Sequence, residues 1–243
     1  MTGVISSELL KLRTARSNVV LAVAGVGLSI LIALLTILFD GSPTADVLIS
    51  DAQICVLFTL ILGAMSIAGE VRHGSIAPSL LVTPSRTGLL LGKLVAIVIL
   101  SALMGALAFG GSLIAGALLL PGQGFELGLS TGQVIRDTAS GAAVAALYGV
   151  MGLGVGGLIR NQTGAIIVLL ITLFFIDPLA ASLISKYNEY SLGAVLTSAT
   201  GAPGQGPSDH PIAQGAALAL QLGYSALLFV IGLVALNRAD ITD

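Results

Sequence analysis

Six apolar runs, each long enough to cross a bilayer, leave this chain little choice of fold. A transmembrane helix needs about 20 residues, rising 1.5 Å per residue across roughly 30 Å of hydrocarbon. The runs fall at about 18–39, 47–68, 91–119, 134–158, 164–185 and 212–236. The third is long enough to tilt or to extend beyond the bilayer. The 243 residues are 56% hydrophobic and only 9% charged, whereas soluble domains carry about 25% charged residues. A soluble fold of this size has no way to hide so much apolar surface. The sequence predicts an all-α integral membrane protein: one domain over 1–243 with six transmembrane helices.

The sparse charges set an orientation. Lys11, Arg13 and Arg16 precede the first run; Arg72, Arg86 and Lys93 lie between the second and third; Arg160 follows the fourth and Arg238 the sixth. Only Arg136 and Lys186 fall on the opposite side. Positively charged loops stay in the cytoplasm. The expected protein is a multi-pass protein of the cell membrane with both termini cytoplasmic.

Residues 1–17, MTGVISSELLKLRTARS, place Val4, Ile5, Leu9, Leu10 and Leu12 among Glu8, Lys11, Arg13 and Arg16. That pattern fits an interfacial amphipathic helix whose basic residues meet anionic membrane lipid. The plainer alternative is a frayed basic tail. The apolar run that follows exceeds the roughly 7–15 residues of a signal-peptide core, so it reads as a retained span.

Catalytic signatures are missing. There is no HExxH and no GxSxG. Gly152, Gly154 and Gly157 match GxGxxG, but inside a membrane span with no preceding strand. The stretch Gly88–Lys93 is one residue short of a P-loop, and Leu94 stands where Ser or Thr is needed. His73 and His210 fall on opposite sides of the expected membrane and cannot share a metal. Cys55 is the only cysteine, so neither a disulfide nor a thiolate metal site is available. So few Lys and Arg make a nucleic-acid surface implausible. The reading is a non-enzyme with no catalytic residue, no metal and no cofactor of its own. Whatever work it does needs a partner.

Two spans carry special features. The fourth is rich in glycine, and Gly152 and Gly156 form a GxxxG that lets helix backbones approach closely in lipid; a sliding or hinging helix is the functional extension. The fifth contains Asp177-Pro178. An Asp followed by Pro suits the N-cap and first position of a new helix. Span five therefore either breaks there, with a short helix from Pro178 to about 187 finishing the crossing or folding back, or simply ends with Asp177 at the outer surface. The stretch 186–211 reads as an external loop, with a small helix near 187–198 and a turn-rich second half.

The longest early polar break is 69–91, GEVRHGSIAPSLLVTPSRTGLLL, closing on Gly92 and Lys93. Glu70 and Arg72 stand at the membrane exit, where a short polar helix can start. Gly74-Ser75 permits close approach by a partner. Thr83-Pro84 stops a helix, because residues before proline avoid the α region. Arg86 and Lys93 suit anchoring at cytoplasmic headgroups.

This loop and the N-terminal SELLKLRTARS resemble the permease subunits of ABC-2-type ABC transporters, especially compact ones from high-GC Gram-positive bacteria. The positions that match are Glu70, Gly74, Ser75, Leu81, Thr83, Pro84, Arg86 and Lys93, and the six-span layout extends the resemblance over the whole chain. The loop motif is its specific part. The resemblance implies that 69–91 forms a cytoplasmic coupling helix, with Glu70, Arg72, His73, Gly74, Ser75, Pro84 and Arg86 set in a groove of a separate ABC ATPase subunit. Two ATPase copies, binding ATP and Mg, would work with this permease and a second copy or a homologous one. It also implies export, with lipids, drugs (as in multidrug efflux) or lipophilic peptides as fitting substrates, and short re-entrant or external helices between spans five and six. On the residues alone, a stand-alone secondary carrier or channel and a non-transporting membrane scaffold remain alternatives.

Overall fold

A computed structural model describes residues 2–40, 43–72, 86–121, 128–202 and 211–238. The described residues form helices and connecting turns, with no strand among them. The helices are α1 (Thr2–Thr14), α2 (Arg16–Phe39), α3 (Ala45–Ala52), α4 (Ile54–Arg72), α5 (Arg86–Leu119), α6 (Thr131–Ile159), α7 (Gln162–Ile171), α8 (Asp177–Leu183), α9 (Ser185–Asn188), α10 (Leu192–Thr200) and α11 (Gln214–Asn237). A π-helical turn, Thr172–Ile176, joins α7 to α8.

Six of these stretches are long and apolar enough to cross a membrane: Arg16–Phe39, Ala45–Gly69, Leu90–Leu119, Thr131–Ile159, Gln162–Leu183 and Gln214–Leu236. They match the six runs expected from the sequence. The second is built from α3 and α4 joined through Gln53, and the fifth from α7, the π turn and α8.

Span four is the axis of the bundle. Over its most apolar window 72% of the residues are buried, against 22%, 17% and 22% for spans one, five and six. Its glycines explain how it fits. A Cβ at Gly152 would overlap the Leu60 carbonyl oxygen of α4, one at Gly156 the Ala64 carbonyl oxygen, and one at Gly154 the Leu228 carbonyl oxygen of α11. Backbone lies against backbone on two faces, the close packing expected from the GxxxG pattern. Around these close approaches larger side chains fill the core. Val144, Tyr148, Phe109, Ile49 and Leu60 belong to one continuous buried cluster.

The ends of α6 are set by local chemistry. Ser130 Oγ accepts from the Gln133 amide, and the Ser130 amide donates to Gln133 Oε1 at 2.8 Å, a reciprocal capping box. Arg160 ends the helix in the left-handed region, at φ 55°. Its guanidinium Nη2 donates to the Ala235 carbonyl at 2.9 Å, tying the ends of spans four and six together.

One expectation is corrected at the polar loop. Glu70 and Arg72 belong to the last turn of α4, which runs on to Arg72, and do not begin a separate helix. Arg86 opens α5. His73, Gly74, Ser75 and Pro84 lie outside the described residues, as does His210.

Span five also differs from its expectation. It does not break at Asp177: Ile176 and Asp177 both keep right-handed helical angles. Pro178 lacks an N–H, and its ring would clash with the carbonyl four residues back in a regular helix. The helix widens to relieve this, and the Asp177 amide donates to the Thr172 carbonyl five residues away. The break comes later, at Ile184 (φ −122°, ψ 96°), after which α9 and α10 fold back.

Candidate functional site

Among the described residues buried charge falls in three places: Asp137, paired with its exposed neighbour Arg136 at 3.2 Å, and two sites that join separate elements. The first of these two sites joins α1 to the start of span three. Glu8 has 3% side-chain exposure and Lys93 6%. Glu8 Oε2 accepts from Lys93 Nζ at 2.6 Å, and Glu8 Oε1 accepts from Lys11 Nζ at 2.6 Å. The apolar side of the joint is Leu12, buried against a cluster that contains Leu90 and Ile97 of α5. So α1 exists, as the sequence predicts, but Glu8 points into the protein. Lys11 is half exposed, Arg13 falls within α1, and Arg16 is the exposed first residue of α2. Lys93 is no headgroup anchor. It lies two turns into α5, and Glu8, 85 residues earlier, meets it there.

The second place is at the opposite end, around Asp177. Asp177 is 4% exposed. Oδ1 accepts from Tyr187 Oη at 2.6 Å and from the Leu192 amide at 2.9 Å; Oδ2 accepts from the Gly193 amide at 3.2 Å. Ser191 Oγ accepts from the Ala194 amide at 3.2 Å. All three leading N–H groups of α10 thus have side-chain partners. A carboxylate at a helix N-terminus also meets the positive end of the helix dipole. Asp177 does cap a helix, as its residue type suggests, but the helix is α10 and not its own.

Further single bonds tie α10 and its approach to the other spans. Tyr148 Oη of span four donates to the Leu192 carbonyl at 3.2 Å, and Gln53 Nε2 of span two donates to Thr200 Oγ1 at 2.9 Å. Tyr224 Oη of span six donates to the Tyr190 carbonyl at 2.9 Å. Val195 and Ala199 are fully buried in the main core. The short helix expected on the outside is therefore part of the bundle.

Between α10, span two and the upper half of span five lies a cavity of about 460 Å³. Its wall is chiefly apolar, with Ile54 and Leu57 from span two, Leu173 and Phe174 from the wide turn, and Leu196 from α10. Gln53, Asn188 and Asp177 add polar groups to its lining. That combination suits a lipophilic molecule with one hydrogen-bonding end. Among the described residues, no group of three or more His, Cys, Asp and Glu could hold a metal ion.

Burial, the hydrogen bond to Asp177 and that carboxylate's charge all push the Tyr187 phenol above its ordinary value. A raised acid keeps its proton longer in the folded state. The Tyr187 contribution to stability should be whole below the ordinary tyrosine value of about 10 and fade as pH rises beyond it. Unfolding curves of the parent and of Tyr187→Phe should stay a constant distance apart up to about pH 10 and converge only above it. Convergence already near neutrality would contradict the assignment.

No protein-family model matches the chain, and no curated protein matches it. Function must be read from the residues.

Proposed function

We propose that this chain is the membrane subunit of an ATP-driven exporter, driven by a separate ATPase that docks on the segment between spans two and three. The reading carries forward the resemblance to ABC-2-type permeases. The observation that supports it best is the Glu8–Lys93 ion pair. The polar segment 73–85 leads into α5, and two turns later α5 is fastened by a buried charge to α1. Only Ala15 separates α1 from span one. A push on the segment therefore has a stiff path into two spans. A chain without such a task gains little from burying an ion pair, since desolvation offsets most of the attraction.

The charge asymmetry puts this end in the cytoplasm, and the apolar cavity then lies toward the far side, beside Asp177. The cavity also bears on the alternative of a carrier working alone. Such a carrier needs an ionisable group free to exchange protons or ions. In the arrangement seen here Asp177 is instead occupied by three donors that cap a neighbouring helix. In the proposed complex two permeases, identical or homologous, pair with two ATPases, which supply ATP and Mg chemistry.

Affinity purification from mildly solubilised membranes of the source cell tests this. An ATPase subunit is expected in equimolar amount, with ATP hydrolysis in the eluate. A preparation of this chain alone that transports in vesicles without ATP would refute the reading.

A further inference from the structure

We propose that the upper half of span five is a gate on the cavity, hinged at the wide turn Thr172–Ile176 and latched by Asp177 to the N-terminus of α10. The proposal deepens the exporter reading, because it says how the cavity in that reading opens outward.

The hinge is visible in the backbone. Within the π turn the helix exchanges its usual bonding for a five-residue bond into Thr172, and Pro178 supplies no N–H to the preceding turn. Such turns are the weak points of a helix, and they recur where helices move. Packing is equally uneven. From Thr172 to Leu183 only Asp177 and Ala181 are buried. Phe175, Ile176, Leu179 and Leu183 are all exposed on the outer side. By contrast α10, on the other side of the cavity, is held in the core and bonded to spans two and four. When the cavity changes width, the span-five side is the one free to move.

Asp177 is built as a latch. It lines the cavity, and it is the side chain that crosses from the gate to α10. Each of its three donors can be replaced by water once the cavity is wet, so release leaves neither a bare carboxylate nor a bare helix N-terminus. Release is thus a reversible exchange, and both states are accessible.

The test measures the gate with no partner or substrate present. Spin labels are placed at Leu183→Cys on the gate and Ile135→Cys on span four, both outward-facing, in a Cys55→Ala background. The protein is held in lipid nanodiscs for pulsed distance measurement. With Asp177 intact, one narrow distribution is expected. Asp177→Asn should add a second maximum displaced by about 5 Å, roughly one helical turn. Asp177→Asn combined with Pro178→Ala, which returns the missing N–H and stiffens the turn, should shrink that maximum. Should Asp177→Asn fail to fold, Tyr187→Phe removes one donor and should give the same second maximum at lower weight. A single unshifted distribution in the folded latch variant overturns the latch. A second maximum undiminished by Pro178→Ala overturns the hinge. Because no ATPase enters the measurement, a fixed gate leaves the exporter reading to the co-purification result, and a missing ATPase leaves the gate standing.

Discussion

Gly152→Leu abolishes the folded bundle. Even the first carbon of a side chain at this position meets the Leu60 carbonyl oxygen of α4. That obstacle is backbone inside a helix, so no rotamer change relieves it. Spans two and four must separate, and the separation also opens the Gly156–Ala64 approach one turn away. Overpacking a core costs about 1–3 kcal/mol when side chains can yield; here they cannot, and the cost lies at or above the top of that range. The expected readout is loss of the monodisperse peak in size-exclusion of the solubilised protein. Gly27→Leu and Gly223→Leu are the controls. A Cβ at either position has nothing within 4 Å, and both variants should elute as the parent does. If Gly152→Leu elutes like the controls, spans two and four are not packed backbone to backbone.

That packing was readable in advance, and it shows what kind of information the sequence carries well. A span announces itself through some twenty consecutive apolar residues, and a close helix crossing through glycines at fixed spacing. Both signals are local. The features that define the candidate sites are not. Lys93 reads as a surface anchor because its neighbours are a loop and a span start; it is buried because Glu8 arrives from 85 residues away. Asp177-Pro178 has the right residue types for a helix start, and the proline does disturb span five. Yet the chain can answer a proline by widening a turn as well as by breaking it. Nothing within the run announces which answer it takes. The cap that Asp177 provides falls on Leu192 and Gly193, a pairing that exists only after the chain folds back at Ile184. Likewise α10 is short and moderately polar with Ser191, Thr197, Ser198 and Thr200, which suits a surface helix. Three of those hydroxyls instead bond to the helix itself: Thr197 and Thr200 donate to carbonyls one turn back, and Ser191 accepts from its own first turn. That satisfaction makes their burial tolerable.

Lys93→Met costs more than Glu8→Met together with Lys93→Met. In the single variant the Glu8 carboxylate stays in the protein with Lys11 as its remaining ion-pair partner among the described residues, and Lys11 is half exposed. Removing one partner of a buried pair typically costs about 3–5 kcal/mol, because the other charge is left uncompensated. In the double variant both charges go, and two flexible apolar side chains of similar length fill the space beside Leu12 and Leu90. Replacing a whole buried pair in this way is often neutral or stabilising. Thermal unfolding should therefore rank the single variant lowest, with the double variant at or above the parent. Stability is only half of the expectation. If the pair exists to hold α1 in register with α5, as the exporter reading requires, the stable double variant should still hydrolyse ATP through its partner while transporting little. Exchanging the charges, Glu8→Lys with Lys93→Glu, should recover part of that transport. A double variant that transports as well as the parent would make the ion pair a structural accident, and the path from the polar segment into span one would have to run elsewhere.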